Sequence, residues 1–193
     1  RLRTSPPSCP YPYLPHVHED MMLHDENSLY FLTAKGKEFY KQLMEQQYIA
    51  ISGMAGEGGS MSKRAFSVRG KVECIGSDKL DEIFESNPYM AEIYPQKESR
   101  IALQVFKLYE GNGEYFDIST KPITRESFVL GNATKVVGGY FITDRCRGCK
   151  MCYSKCPQKC IDLSKKPLVI NQEHCLHCGN CMEVCPFNAV EKK

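Results

Sequence analysis

Cys146-Arg147-Gly148-Cys149-Lys150-Met151-Cys152-Tyr153-Ser154-Lys155-Cys156-Pro157 is followed, after a spacer, by Cys175-Leu176-His177-Cys178-Gly179-Asn180-Cys181-Met182-Glu183-Val184-Cys185-Pro186. Each stretch spells C-x2-C-x2-C-x3-C-P. Every cysteine of the second, and its proline, lies 29 residues beyond its counterpart in the first. Structural zinc takes cysteines as C-x2-C pairs, two pairs to a tetrahedral ion. A third cysteine at the same step, then C-x3-C-P, leaves surplus donors. Disulfides suit the run no better, because C-x2-C neighbours are poor bridging partners and so many thiols point to a reducing compartment.

The pattern is that of a [4Fe-4S] run, and the tail resembles the bacterial two-cluster ferredoxins. A cube presents four irons, each needing one thiolate. Two-residue spacers carry a tight loop past three corners but not the fourth, and in this pattern the fourth cysteine of each run ligates the other cluster. On that pattern Cys146, Cys149, Cys152 and Cys185 hold one cluster, while Cys175, Cys178, Cys181 and Cys156 hold the other. Pro157 and Pro186 stop helical continuation and turn the chain away after the fourth cysteine. Neither site is complete without the other run. Cys160 follows Cys156 by four, as Ala189 follows Cys185. It is read as a small buried packing residue and not as a ligand.

Working outward, the chain has 193 residues, of which 25 are Lys or Arg and 23 Asp or Glu, for a formal charge of +2. That balance favours neither a nucleic acid nor an acidic membrane as partner. No apolar run approaches the roughly 18 residues of a membrane span, and no secretory leader is visible. A cytoplasmic setting is expected, with Cys9 and Cys74 free. The chain opens on Arg1 and not Met, which fits a missing or processed N-terminus. The cysteine tail is too small to bury much, so the clusters are expected to hold it together. The stretch ahead of it is long enough for one compact core.

Five prolines between Pro6 and Pro15 rule out a helix there. A hairpin is expected around His24-Asp25-Glu26-Asn27-Ser28, with Leu29 to Thr33 as its second strand. A helix follows from Lys35 to Gln46, then a strand from Tyr48 to Ser52 and a glycine-rich loop from Gly53 to Gly59. Phe66 to Ile75 reads as a strand with a bulge or sharp bend at Gly70. Ser77 reads as the N-cap of a helix from Asp78 to Ser86, with a short helix after Pro88. Ile101 to Tyr109 and Glu114 to Ile118 read as a hairpin turning at Gly111-Asn112-Gly113. Residues 121–134 read as a connecting arm. Val136 to Ile142 reads as a strand pairing with Leu168-Val169-Ile170. Gly138-Gly139 is taken as the boundary between domains 1–138 and 139–193. Strands outnumber helices without β-α-β alternation, which points to an antiparallel barrel with accessory helices.

Tyr30-Phe31-Leu32-Thr33-Ala34-Lys35-Gly36-Lys37-Glu38-Phe39-Tyr40-Lys41-Gln42-Leu43, with Arg64-Ala65-Phe66-Ser67-Val68-Arg69-Gly70-Lys71-Val72-Glu73 after it, resembles the FMN-binding split barrels related to pyridoxamine 5′-phosphate oxidase. The resemblance runs from Pro15 to Ile118. It implies a mainly β, antiparallel split barrel, a homodimer, and FMN bound where the subunits meet. The whole chain is then such a barrel joined to a small α+β two-cluster ferredoxin-like domain. Lys37 and Lys41, four apart on one expected helix face, with free N–H groups at the helix start, offer an anion site for the flavin phosphate. Thr33 at the strand end is a partner for the flavin ring or ribityl chain, and Ser62, Lys63 and Arg64 are further candidates. One departure stands out. Where the family often has Pro-Arg-x-Arg, this chain has Pro15-His16-Val17-His18, so His18 takes an arginine's place as a weaker, pH-dependent phosphate partner. That departure also argues against oxidation of pyridoxamine phosphate itself.

A flavin trades electrons in pairs or singly, and a [4Fe-4S] cluster moves one at a time. Both on one chain make an oxidoreductase that exchanges electrons with a redox protein and reduces a small acceptor. The alternative is a non-catalytic electron carrier or redox sensor. No acid–base or nucleophile–base pair stands out in the sequence.

Overall fold

The computed structural model describes residues 16–17, 22–55, 64–136 and 138–193. The proline-rich opening, Cys9, His18, Ser62, Lys63 and most of the glycine-rich loop lie outside the described residues. The chain forms two compact units. The first takes the described parts of 1–53 with 66–113 and 128–134. The second takes the described parts of 54–65 with 114–127 and 135–193. The Gly138-Gly139 junction therefore lies within the second unit's last segment.

Mostly β structure leads to the cysteines. In chain order come β1 (His16–Val17), β2 (Met22–His24), β3 (Leu29–Ala34), α1 (Glu38–Gln46), β4 (Tyr48–Ala55) and β5 (Arg64–Gly76). Then follow α2 (Leu80–Ser86), α3 (Met90–Ile93), β6 (Leu103–Asp117) and β7 (Thr124–Leu130). One seven-stranded sheet runs β1-β4-β5-β6-β3-β2, with β7 also paired to β6. β2 and β3 form the expected hairpin, Met22 opposite Phe31 and His24 opposite Leu29. β3 lies antiparallel to β6, Phe31 opposite Phe106. One pairing departs from an all-antiparallel sheet: β1 runs parallel to β4.

β3 is buried at four consecutive positions because both faces of the sheet are covered. Alternate residues separate cleanly. Phe31, Phe106 and Leu108 join Leu43, Ile49, Ile51, Val68 and Val72 on one face, where α1 packs. Tyr30, Leu32, Leu103 and Val105 join Ile83, Phe84 and Met90 on the other, beneath α2 and α3. Phe31 stacks on Phe106 with ring centroids 5.7 Å apart. α1 ends at Gln47, which takes a left-handed conformation and donates its N–H to Leu43 O.

Several expectations fail for reasons that only neighbours supply. Gly111-Asn112-Gly113 is no turn, since β6 runs straight through it. A Cβ on Gly111 would meet Arg69 O at 2.6 Å, one on Gly70 would strike Glu110 O, and one on Gly113 would strike the Phe128 ring. These glycines serve close backbone and ring approach, Gly70 among them. Much of the expected connecting arm is β7, whose Thr-Arg-Glu-Ser-Phe-Val-Leu sequence is rich in strand formers. Ser77 does not cap α2, which begins after Lys79 in a left-handed conformation (φ 66°) with no side-chain cap. Lys35 to Lys37 precede α1 as a turn closed by the Lys37 N–H to Ala34 O.

In the second unit come β8 (Tyr140–Ile142), α4 (Met151–Lys155), β9 (Ile161–Asp162), β10 (Val169–Ile170), α5 (Asn180–Glu183) and β11 (Val190–Lys192). β8 does not pair with β10. It pairs antiparallel with β11, and β10 pairs with β9. The strand before each cysteine run thus pairs with the strand after the other run's C-P, β8 with β11 and β10 with β9. Among the described residues no helix is long and apolar enough to cross a membrane.

Candidate metal centres

Each cysteine loop is wound by residues that L-amino acids seldom supply. Positive φ occurs at Gly148 (71°), Lys150 (62°) and Lys159 (51°), and again at His177 (55°), Gly179 (83°) and Asn188 (47°). These are the same three places in each repeat, 29 residues apart. Left-handed turns let a two-residue spacer fold back, so successive cysteines face a common centre. One short helix then starts in each repeat, α4 after Lys150 and α5 after Gly179. Cys156 is extended ahead of Pro157, as a residue before proline prefers.

The structure gathers the eight cysteines around two cavities. Cys146, Cys149, Cys152 and Cys185 line one. Cys156, Cys175, Cys178 and Cys181 line the other, together with Cys160. Among the described residues no three His, Cys, Asp or Glu side chains close on one point as a single metal ion would need. Four thiols spaced around a cavity suit a polynuclear cube, whose four corners each need one thiolate. The donor set therefore fits the cluster.

Backbone N–H groups reach three of these sulfurs: Gly148 to Cys146 Sγ at 3.4 Å, His177 to Cys175 Sγ at 3.4 Å, and Ala189 to Cys185 Sγ at 3.3 Å. Such bonds favour the thiolate. Burial acts the other way, raising the Cys152 thiol and pushing Cys181 up to about 11. Cys152 and Cys181 are the buried third cysteines of their runs, whereas the second ones, Cys149 and Cys178, are exposed.

Cys160 is buried with Ile161, Leu168 and Ile170 and also lines the second cavity. Its sulfur is also 3.6 Å from Cys156 Sγ. Donation from the Cys160 thiol holds Cys175 down to about 6 and keeps Cys160 itself protonated. Ala189, its counterpart, has no such donor. The 29-residue comparison contains that difference, but it does not say where the extra thiol points.

The residues expected around a flavin lie in both units. Thr33 is buried in β3 opposite Gln104. Lys37 lies ahead of α1 in an extended conformation, so Lys37 and Lys41 do not share a helix face as expected. Lys41 pairs with Glu38 at 3.4 Å, both side chains mostly exposed. Arg64, in the second unit, pairs at 3.3 Å with Asp117. Hydrogen bonds from Ser119 hold the Asp117 carboxyl below the usual range. Sequence reasoning missed Arg125, whose guanidinium reaches the second cysteine run. The strand-forming character of residues 124–130 was the signal that they do more than connect.

The cysteine-bearing region is similar to known iron–sulfur proteins. Residues 145–189 match the model of the 4Fe-4S dicluster domain. The same region is similar to Ferredoxin-1 of Caulobacter vibrioides, 39% identical over 54 residues, which are 27% of this chain and 48% of that protein. It is also similar to the indolepyruvate oxidoreductase subunit IorA of Pyrococcus abyssi, 43% identical over 51 residues, 25% of this chain and 8% of that protein. The chain thus spans about half of the ferredoxin and less than a tenth of the subunit. By overall structure it is similar to a NimC/NimA family protein of Clostridium acetobutylicum, with a TM-score of 0.43, 18% identity, and coverage of 56% of this chain and 70% of that one. The second unit carries a ferredoxin-type 4Fe-4S dicluster domain, and iron–sulfur electron transfer is its chemistry.

Proposed function

We propose that the chain is an iron–sulfur flavoprotein oxidoreductase, passing electrons between two [4Fe-4S] clusters and an FMN to reduce a small acceptor. The observation that carries this reading is the grouping of eight cysteines around two cavities. Cys146, Cys149, Cys152 and Cys185 hold one cluster, and Cys175, Cys178, Cys181 and Cys156 the other. The exposed Cys149 and Cys178 bring the edge of each cluster toward solvent, where a redox protein exchanges single electrons.

FMN, when bound, supplies two-electron chemistry that the clusters lack. The N–H groups at the start of α1, with Lys37 beside them, fit its phosphate. Lys41 joins them by leaving Glu38, an exposed pair worth at most about 1 kcal/mol. Thr33, Arg64 and His18 complete the candidate set. A homodimer in a reducing cytosol is part of the same proposal.

Anaerobic purification followed by iron, sulfide and flavin assay tests it. The expected result is equal iron and acid-labile sulfide filling two cubes, with paired flavin bands in the absorption spectrum. Zinc without iron overturns the cluster assignment, and flavin bands absent after reconstitution overturn the FMN. Lys37→Ala is expected to weaken FMN retention while leaving iron content unchanged.

A further inference from the structure

We propose that Arg125 is a positioning residue that raises the reduction potential of the cluster held by Cys156, Cys175, Cys178 and Cys181, making the two clusters inequivalent. The proposal rests on the cluster assignment above and adds to it a reason for electrons to settle on one side.

Arg125 belongs to the 114–127 segment, which shares a compact unit with the cysteine runs. Its side chain is only 13% exposed. Nε donates to the main-chain oxygen of Cys175 at 3.1 Å, and Nη1 donates to Glu114 Oε2 at 2.8 Å. The guanidinium also lies over the Phe116 ring, 4.7 Å from its centre. A second tie holds the same segment, because His174 Nδ1 and Ile123 O are 2.8 Å apart. Glu114 and Phe116 thus hold the guanidinium in place, while its Nε and the neighbouring His174–Ile123 tie reach the second run.

Reduction adds one electron to a cluster and makes it more negative. A nearby cation favours that state, most of all when little water intervenes. The first run has cations too. Arg147 and Lys150 line its cavity, but both are exposed and so are screened. Arg145 is drawn away to Glu191 at 2.6 Å. Around Arg125, the side chains of Glu126, Lys135 and Glu173 are likewise exposed. Glu114 directly opposes Arg125, so the two side chains pull the potential in opposite senses. That opposition separates an electrostatic role from a purely structural one.

The test is an EPR-monitored redox titration of anaerobic holo protein: unaltered, Arg125→Gln, Arg125→Lys and Glu114→Gln. One of the two one-electron steps should move to more negative potential in Arg125→Gln, with the other step unmoved. Arg125→Lys should recover most of the shift. Glu114→Gln should move the same step to more positive potential. The paramagnetically shifted Cys175 protons identify the step that moves. Steps that stay put, that move together, or that shift in the same direction in Arg125→Gln and Glu114→Gln overturn the proposal. If Arg125→Gln does not retain iron, the opposite shift is read in Glu114→Gln, and no positive movement there overturns it. Absence of any [4Fe-4S] signal from the unaltered protein instead overturns the cluster assignment, and the proposal falls with it.

Discussion

The two cysteine halves share spacing, left-handed turns and short helices, yet different neighbours back them. Beside the first cavity stands Ala189, whose N–H reaches Cys185 Sγ. Beside the second cavity stands Cys160, whose thiol lies against Cys156 Sγ, and the half-buried Arg125 reaches the main chain of Cys175. A repeated motif therefore reproduces the loop that holds a cluster without reproducing the environment that tunes it. Loop geometry follows from residues adjacent in the chain. Tuning comes from burial and from hydrogen bonds delivered by distant segments.

The largest effect should come from breaking the crossing. Replacing Cys156 or Cys185 by serine each removes one ligand from the cavity that the opposite run dominates. Iron analysis should show about half of the clusters lost or converted, with the EPR signal of the same-run triad persisting. Loss of the same-run signal instead would refute the crossed assignment.

Proton competition is the next lever. Thiols must lose protons to bind iron, and burial raises both Cys152 and Cys181, the latter to about 11. The sign is fixed: at neutral pH these groups hold their protons in the absence of iron, so loading releases protons and weakens as pH falls. Cys175, held down to about 6, opposes this in the second half until the pH drops below that value. Reconstitution followed by absorbance should be slower at pH 6 than at pH 8. No difference would remove buried thiols as the limiting groups.

Gly148 and His177 occupy equivalent left-handed positions, and no atom would meet a Cβ on Gly148. Gly148→Ala should therefore cost only the left-handed backbone, about 1–2 kcal/mol, with both clusters retained, as judged by denaturant unfolding alongside iron content. A lost cluster would show that the first loop needs more than its partner does. Smallest of all, Cys160→Ala makes the second half match Ala189. Full iron loading with a stability loss of about 1 kcal/mol is expected from the weak S–H bond and lost packing. Loss of a whole cluster would make Cys160 a ligand.

Outside the cysteine runs, legibility tracked how local the signal was. The turn at Asp25 to Ser28 and strand β3 are readable because a short consecutive apolar run and turn formers lie side by side. α1 was found, but its start was placed three residues early, which put Lys37 on a helix it only precedes. Gly111-Asn112-Gly113 misled because a glycine pair marks either a turn or a tight crossing, and Gly70 and Phe128 decide between them.

What the sequence alone determined is the iron–sulfur chemistry, since a thiolate ligand set is written in contiguous residues and its spacing is the geometry. Tertiary structure alone decided that β6 passes straight through its glycines, that β8 pairs with β11, and that a half-buried arginine reaches the second run. Each of these depends on which distant surface packs against a residue, and short-range patterns hold no record of it.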